Sequence, residues 1–465
     1  MKKYFFLLLP FIFSLSYLPA QKVEPFYPIP STQQLAWHEL EFYLFVHFGP
    51  NTFTDKEWGH GDEPEDVFNP TDLDCRQWAR IAKQSGAKGI IITAKHHDGF
   101  CLWPSRYSKH TVRESKWKNG KGDVLKELSQ ACKEYGLKFG VYISPWDRNH
   151  PQYGTSRYND VFVNMMKEIF EGYGPIWELW WDGANGEGPN GKKQVYDWRR
   201  FEKFVVQISP NTVVFSDIGP DIRWVGNEKG IAGETNWNLL DTVGFGRGIG
   251  SPHTDTLNQG NTDGKFWIPA ECDVSIRPGW FYHETEDDKV KTPSQLFDLY
   301  LKSVGRGANF LLNVPPDRRG LIHDNDSASL IDFRKLKEKN FKKNFAQNAP
   351  VQIILHNQSV TTKRLTDQSV KTYASVPQEI RLTFENPTEI NHIVLQEAIE
   401  FGQRVQNFEI ILERNEGLTS IKGTTIGRKR IVSFSTQKVK SLVVRITQAK
   451  TKPTILNEIA VYRIE

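Results

Sequence analysis

The sequence predicts a TIM-like (β/α)8 barrel followed by a C-terminal β-sandwich domain. Near-continuous apolar runs alternate with amphipathic segments from about residue 38 to about residue 345. This alternation is typical of parallel strands that helices cover on both faces of the sheet. After Asn340 the helical signals stop, and short alternating segments follow between turn-rich linkers. That second pattern is typical of an antiparallel sandwich.

The barrel region contains seven candidate strands with helices between them. The strands are expected at Phe42–Phe48, Gly89–Ala94, Lys138–Ser144, Ile176–Trp181, Thr212–Asp217, Lys265–Ala270 and Asn309–Val314. The helices include Asp123–Tyr135, Tyr158–Tyr173, Tyr196–Ile208, Pro293–Val304 and Asp326–Asn340. Seven or eight such units over roughly 300 residues match an eight-stranded barrel. An open doubly wound sheet is the alternative, but no Gly-rich phosphate turn follows the first strand.

The sandwich region contains seven short candidate strands. They are Val351–Leu355, Glu379–Phe384, His392–Gln396, Gln406–Glu413, Ile431–Phe434, Ser441–Ile446 and Ile459–Tyr462. We therefore divide the chain into a signal peptide at residues 1–20, a catalytic barrel at 21–345 and a sandwich at 346–465. A chain of 465 residues is long enough for one large barrel and a companion domain.

The first 20 residues have the pattern of a secretory signal. Two lysines precede the apolar run Phe5–Leu18, and the small residue Ala20 precedes a plausible cleavage point. The run is too short and interrupted to be a good membrane span, and no later stretch reaches about 18 apolar residues. We expect an exported protein, periplasmic or extracellular, without a membrane span.

The composition excludes some classes of partner. Hydrophobic residues make up 38% and charged residues 25% of the chain, which suits a large packed core. The formal net charge of +4 is too small to indicate a nucleic-acid partner. The four cysteines lack the paired spacing of zinc sites, and we expect most of them to be free and buried. They are Cys75, Cys101, Cys132 and Cys272.

The segment Ile176–Asn185 carries the strongest chemical signal. It reads as a buried strand that ends in Trp180-Trp181-Asp182-Gly183. Aromatic walls bind sugar rings, and carboxylates cleave glycosidic bonds. The alternative is that Asp182 only caps a following helix, which is a common role for aspartate after a strand.

Polar and aromatic residues follow nearly every predicted strand, and a barrel carries its active site at those strand ends. They include His47, Glu57, Trp58, His96, His97, Asp98, Tyr142, Asp182, Asp217, Arg223, Glu228, Glu271, Asp273 and Trp280. His47, His97 and Asp182 could instead supply ligands for a metal-dependent hydrolase. Neutral histidines could equally bind sugar hydroxyls, because imidazole both donates and accepts hydrogen bonds. No Gly-x-Ser-x-Gly elbow or P-loop is present.

These motifs together resemble the α-L-fucosidases of glycoside hydrolase family 29. The resemblance covers about residues 35–345. It rests on His47-Phe48-Gly49, Glu57-Trp58, Lys95-His96-His97-Asp98-Gly99-Phe100, Trp181-Asp182-Gly183, the run from Arg223 to Glu228, Pro269-Ala270-Glu271-Cys272-Asp273 and Arg277-Pro278-Gly279-Trp280.

The resemblance implies a retaining, exo-acting hydrolase that acts on fucosylated oligosaccharides or glycoconjugates and needs no cofactor or metal. It implies that Asp182 is the nucleophile. The run from Arg223 to Glu228 resembles the subgroup that prefers α-1,3 and α-1,4 linkages, in which Glu228 is the acid/base. Glu234 and Glu271 remain competing acids. The positions implied to hold the sugar are His47, Glu57, Trp58, His96, His97, Tyr142, Arg223 and Trp280.

A non-catalytic carbohydrate-binding protein is a second hypothesis, because such a protein could keep the pocket. The C-terminal sandwich could bind glycans itself or could serve as a structural support for the barrel. Retention of both Asp182 and Glu228 favours the enzyme.

Overall fold

The computed structural model describes residues 23–247, 253–356 and 358–465. The signal peptide expected at residues 1–20 lies outside these ranges. The core of the molecule is a closed barrel of eight parallel strands. They are β1 (Phe42–Val46), β2 (Gly89–Lys95), β3 (Lys138–Ile143), β4 (Glu178–Trp180), β5 (Val213–Ser216), β6 (Ile222–Trp224), β7 (Ala270–Ser275) and β8 (Asn309–Asn313).

Each barrel strand pairs with its neighbours in sequence, and β1 closes the sheet by pairing with both β2 and β8. The predicted barrel is therefore confirmed, and the open doubly wound sheet is excluded. The strands are short and almost wholly buried, which explains their continuous apolar character.

Nine α-helices accompany the strands in the described part of the chain. They are α1 (Thr32–His38), α2 (Pro50–Thr54), α3 (Cys75–Ser85), α4 (Val124–Tyr135), α5 (Arg157–Gly172), α6 (Trp198–Ile208), α7 (Thr254–Gln259), α8 (Pro293–Lys302) and α9 (Asp324–Asn340). Asp123 begins α4 by accepting from the Lys126 N–H, and Gly136 ends it in a left-handed conformation. These are the ordinary start and stop signals of a helix.

The prediction of a barrel strand at Lys265–Ala270 is wrong. Phe266 and Trp267 instead pair with residues 239–240 in a small antiparallel ribbon, and the barrel strand begins at Ala270. Strand β6 was not predicted because three residues are too short to show a period. As a result, Glu271 and Asp273 lie within a strand, and not in the loop after one.

The C-terminal domain is an antiparallel β-sandwich, as predicted. Its strands are β9 (Val351–Leu355), β10 (Gln358–Thr362), β11 (Ala374–Val376), β12 (Glu379–Glu397), β13 (Val405–Arg414), β14 (Gly417–Gly423), β15 (Arg430–Ala449) and β16 (Thr454–Tyr462). The long strands β12 and β15 change register between residues 383 and 392. Each of these long strands accounts for two of the shorter predicted segments.

Two further expectations can be compared with the structure. All four cysteines are free and buried. Within the described ranges, none of the helices combines the length and the apolar character that crossing a membrane requires.

Two carboxyl groups lie beneath the floor of the barrel mouth. Glu178 and Glu271 are both fully buried, and a charge on Glu271 opposes ionisation of Glu178. Trp37 donates to Glu178 at 3.1 Å, and Trp180 donates to Glu271 at 2.9 Å. The remaining Glu178 oxygen, Oε1, finds no donor among the surrounding groups. A proton shared by the two carboxyl groups would satisfy that oxygen.

This pair predicts a loss of stability as the pH rises. Burial raises the pKa of both groups above 4.5, that of Glu271 to about 7. The native state therefore binds these protons more tightly than the unfolded chain does. Its gain in stability is complete at a pH below the pKa of a glutamate in the unfolded chain, and it is lost as the pH rises through about 7. Glu178→Gln removes one of the two ionisable groups. It should reduce the fall in unfolding free energy between about pH 5 and pH 8 by on the order of 1–3 kcal/mol, measured by urea denaturation. An unchanged fall would contradict a shared proton.

Candidate active site

A small cavity opens at the carboxyl ends of the barrel strands. Its volume is about 150 Å³. It is lined by Phe45, His47, Glu57, Trp58, His96, His97, Tyr142, Trp180, Asp182, Ala184, Glu228, Asp273 and Trp280. Nine of the ten site residues predicted from the sequence lie in this lining, and Arg223 does not.

Asp182 follows β4 and projects into the cavity with 23% of its side chain exposed. Oδ1 accepts from the Ala184 N–H at 2.7 Å, and Oδ2 accepts from the Tyr142 hydroxyl at 3.0 Å. No helix begins between Asp182 and Trp198, so Asp182 caps a turn and does not cap a helix. Two hydrogen bonds to different elements fix the orientation of the carboxylate, as a reacting group requires.

The loop after β2 carries the adjacent residues His96 and His97. Lys95 and Gly99, on either side of them, anchor this loop to Asp147. Lys95 and Asp147 form a buried ion pair at 3.3 Å. Gly99 has a φ of +90°, and a Cβ there would lie 2.3 Å from Asp147 Oδ1. Only glycine fits this position. Strand β2 ends at Lys95, so His96 and His97 both lie in the loop, where adjacent side chains can reach the same cavity.

Burial keeps three histidines of the cavity neutral. It lowers the pKa of His47 to about 3 and that of His97 to about 4, and the pKa of His96 lies well below 6.5. His47 Nδ1 is 2.8 Å from Asn313 Oδ1, which can only accept. Nδ1 therefore carries the proton, and Nε2 is left as an acceptor. His96 Nδ1 is buried without a partner. Neutral imidazoles of this kind suit sugar hydroxyls.

His97 is oriented by the loop after β3. Its Nδ1 lies 2.8 Å from Ser144 Oγ, and that hydroxyl donates to the Trp146 carbonyl at 3.0 Å. Ser144 must therefore accept from His97 Nδ1–H. This leaves His97 Nε2 unprotonated, 3.8 Å from Asp182 Oδ2.

Glu57 fixes the opposite wall. Its carboxylate accepts from the backbone N–H groups of Trp280 at 2.8 Å and Phe281 at 3.1 Å. His283 Nε2 lies 2.7 Å from Glu57 Oε1. Burial lowers the pKa of His283, but the hydrogen bonds that its ring donates to the carboxylates of Asp55 and Glu57 outweigh burial and raise that pKa. Trp280 is thereby held against His47, with a ring separation of 5.1 Å.

Glu228 lies in the loop that follows β6. Gly226, with a φ of +82°, passes so close to α7 that a Cβ would lie 2.5 Å from the Thr254 carbonyl oxygen. Asn227 ties the loop by donating to the Ile231 carbonyl at 2.9 Å. Glu228 is solvent-exposed, and its Oε2 accepts from the Trp280 indole N–H at 3.3 Å.

The two competing acids lie elsewhere. The side chain of Glu234 is 76% exposed, pairs with Arg306 and does not line the cavity. Glu271 is fully buried beneath Trp180. Of the three acids considered as partners of Asp182, only Glu228 lines the same cavity.

The structure does not support a sugar contact for Arg223. Its guanidinium is fully buried and donates to the Leu257 carbonyl at 2.8 Å and to the Trp237 carbonyl at 3.0 Å. It also donates to the Ile268 carbonyl. These acceptors belong to α7 and to the loops on either side of it, between β6 and β7. Arg223 therefore holds this segment together and does not line the cavity.

Two lining residues of chemical interest, Trp180 and Asp273, are absent from the predicted site residues, although both were noted at predicted strand ends. Trp180 forms the floor, stacked on Phe215 with a ring separation of 4.0 Å and on Tyr142 at 5.2 Å. Asp273 stands on the same face of β7 as Glu271. The alternation of side chains along a strand is the signal that could have found both, because Trp180 precedes Asp182 by two positions.

A metal-dependent hydrolase would need several ligand side chains gathered at one point. Within the described ranges, no group of three or more His, Cys, Asp or Glu side chains has the geometry to hold a metal ion. His47 and His97 are instead each committed to a hydrogen bond through Nδ1.

A barrel-mouth pocket with aromatic walls, neutral histidines and two separately supported carboxylates defines the class of the protein as a glycoside hydrolase. Comparison with known proteins gives the family. The family model described as alpha-L-fucosidase matches residues 33–340. The chain belongs to the α-L-fucosidase family.

Several relatives match over nearly the whole chain. Alpha-L-fucosidase 1 of Arabidopsis thaliana is 42% identical over 446 residues, which cover 93% of this chain and 87% of the relative. A putative α-L-fucosidase structure from Bacteroides thetaiotaomicron has a TM-score of 0.88 at 37% identity and covers 96% of this chain and 99% of that one. A Ruminococcus gnavus family 29 fucosidase in complex with fucose has a TM-score of 0.85 at 28% identity, covering 96% and 97%.

The histidine loop predicts an effect of Gly99→Ala. The new Cβ would meet the Asp147 carboxylate at 2.3 Å, in a left-handed conformation. We expect a loss of more than about 2 kcal/mol of stability, and a fall in kcat/KM as His96 and His97 are displaced. Thermal unfolding and turnover of an aryl α-L-fucoside measure both effects.

Gly191→Ala is the matched control. Gly191 has a φ of +70°, and nothing lies within 4 Å of its added Cβ. It should cost only the backbone strain of about 1 kcal/mol, and turnover should stay normal. Equal effects of the two substitutions would contradict the steric role given to Gly99.

Proposed function

We propose that the protein is an exo-acting, retaining α-L-fucosidase in which Asp182 is the nucleophile and Glu228 is the acid/base. The observation that carries this proposal is that both carboxyl groups line one small cavity although they come from different β/α units. A retaining pair requires such a facing arrangement, with its carboxyl groups about 5–5.5 Å apart.

In the first step, Asp182 attacks the anomeric carbon while Glu228 donates its proton to the departing glycosidic oxygen. The product is a covalent fucosyl ester on Asp182. In the second step Glu228 removes a proton from water, and the resulting hydroxide displaces Asp182 and releases fucose with its configuration retained. The Tyr142 hydroxyl and the Ala184 N–H hold the Asp182 carboxylate in place throughout.

The composition of the cavity supports a deoxyhexose as the bound ring. His47, His96 and His97 offer neutral nitrogens to hydroxyl groups. Trp280 offers an aromatic face for the methyl group, and Trp58, 53% exposed, stands at the rim. Trp180 closes the floor, so the cavity admits a terminal residue and supports exo action. The fucose complex of the Ruminococcus gnavus enzyme supports the same ligand class.

We also propose the finer specificity and the location. The run from Arg223 to Glu228 supports membership of the subgroup that prefers α-1,3 and α-1,4 linkages. Fucosylated oligosaccharides or glycoconjugates are then the substrates. The signal-like pattern of residues 1–20 supports action after export, in the periplasm or outside the cell. N-terminal sequencing of the exported enzyme should begin at Gln21.

The nucleophile predicts the behaviour of two Asp182 variants. Asp182→Asn should lower the turnover of an aryl α-L-fucoside by at least about 1,000-fold, because the amide cannot form the covalent ester. Asp182→Gly with added azide should recover turnover and yield a fucosyl azide. The fold should be unchanged by circular dichroism, and a chelator should leave the wild-type rate intact. Near-normal turnover by Asp182→Asn would overturn the assignment.

The acid/base predicts a contrast between two glutamates. Glu228→Gln should lower kcat/KM by about 100-fold or more on oligosaccharides. It should lower it much less on aryl fucosides, whose leaving groups need little protonation. Glu234→Gln is the matched control and should stay within about two-fold, because Glu234 is outside the cavity. A larger effect at Glu234 would reverse the assignment.

The proposed subgroup predicts a linkage preference. Oligosaccharides that carry α-1,3- or α-1,4-linked fucose should be hydrolysed at least about ten-fold faster than α-1,2-linked ones, compared by kcat/KM. Equal rates, or a preference for α-1,2 linkages, would remove the subgroup assignment while leaving the fucosidase assignment in place.

A further inference from the structure

Asp273 is a carboxyl group of the cavity to which the proposed reaction gives no role. Its side chain lies on the inner face of β7, two residues after Glu271 and on the same face of the strand. It is 5% exposed. It lines the same cavity as Asp182 and Glu228. Its Oδ1 accepts from the Trp224 indole N–H at 2.9 Å. Because β6 and β7 are paired, this bond fixes the carboxyl group at the cavity wall.

The surroundings of Asp273 oppose a negative charge. Burial is the main reason that its pKa lies well above 3.8, and any negative charge on Glu228 or Glu271 raises it further. The Trp224 N–H and its own backbone N–H act in the other direction. Glu228 approaches from the loop after β6, and Glu271 lies on the same strand. The other ionisable groups of the lining are Glu57, Asp182, Tyr142 and the three neutral histidines.

We propose that Asp273 binds the substrate as a neutral carboxylic acid. Oδ1 accepts from Trp224, and the proton on Oδ2 is donated to an oxygen of the sugar ring that occupies the cavity. This inference rests on the proposed fucosidase function and adds a substrate-binding residue to it.

The depth of Asp273 indicates that its partner is the fucosyl residue. Trp58 is 53% exposed at the rim and Glu228 is solvent-exposed, whereas Asp273 is 5% exposed. A group at that depth meets the ring that enters the cavity, and not the sugar to which that ring is linked. A neutral donor is also suited to the site, because it adds no charge beside Asp182, which must itself be ionised to attack.

Two variants separate this role from its alternatives. Asp273→Asn keeps an oxygen for Trp224 and an N–H donor for the sugar, and it is neutral at every pH. Asp273→Ala removes both. Asp221→Asn is the matched control, since Asp221 is a largely buried carboxyl that accepts from the Val214 N–H and lies outside the cavity. Each variant is assayed for kcat and KM on an aryl α-L-fucoside from about pH 4 to pH 9, with thermal unfolding measured in parallel.

We expect Asp273→Ala to lower kcat/KM by about ten-fold or more, as loss of a hydrogen bond in a closed site does. Asp273→Asn should stay within about three-fold of the wild type near neutral pH. The alkaline midpoint of its kcat/KM profile should be unchanged or higher. Asp221→Asn should match the wild type in both respects.

Three outcomes would overturn the proposal. A lower alkaline midpoint in Asp273→Asn would show that Asp273 is an anion that holds the proton on Glu228. On a fucosylated oligosaccharide, whose leaving group needs protonation, loss of turnover in Asp273→Asn with near-normal turnover in Glu228→Gln would make Asp273 the acid/base. Normal kcat/KM in a folded Asp273→Ala would show that it does not touch the sugar. Failure of the fucosidase proposal itself is distinct, because it appears as turnover that survives Asp182→Asn.

Discussion

The geometry of the site depends on the buried ion pair between Lys95 and Asp147. Both side chains are almost completely removed from water, so each charge needs the other, and loss of either partner would leave an uncompensated buried charge. Lys95 ends β2, and Asp147 belongs to the loop after β3. Asp147 also accepts from the N–H groups of Asn149 and His150 at 3.0 and 2.8 Å. The pair therefore locks two neighbouring loops together, and these loops carry His96, His97 and the Ser144 that orients His97.

A second constraint is electrostatic. Carboxyl groups are crowded at the barrel mouth, and burial raises the pKa of several of them. Asp217 packs over Gly183 so closely that a Cβ on this glycine would lie about 2 Å from its oxygens. Burial and the charge of Asp182 raise the pKa of Asp217 to about 7. Asp273 is likewise a buried carboxyl group, and burial and the nearby Glu228 raise its pKa. Each carboxylate assigned to the reaction thus has a more deeply buried neighbour that favours the neutral form.

The sandwich is attached to the barrel by polar contacts, several of them to the segment between β6 and β7. Gln403 accepts from the Asn238 N–H at 2.8 Å, and its amide donates to the Asn236 carbonyl at 3.0 Å. Arg223 reaches the same Asn236 from the barrel at 3.0 Å. At the opposite end, Lys429 pairs with Glu41 just before β1. This network gives the sandwich a structural role at the barrel and accounts for the burial of Arg223.

The sequence by itself determined the barrel, the sandwich and most of the lining of the cavity. Strand periods, helix caps and the polar residues after strands are local signals that can be read from the sequence. The closed barrel then brings the carboxyl ends of all its strands to one face, independently of the loop conformations. Tertiary structure alone decided three assignments. Arg223 is a loop anchor because the carbonyls that it binds come from residues 237–268. Glu271 lies beneath the floor and Asp273 in the wall because the strand begins at Ala270, and the position at which a strand enters the barrel is set by pairing with its neighbours and not by its own residues.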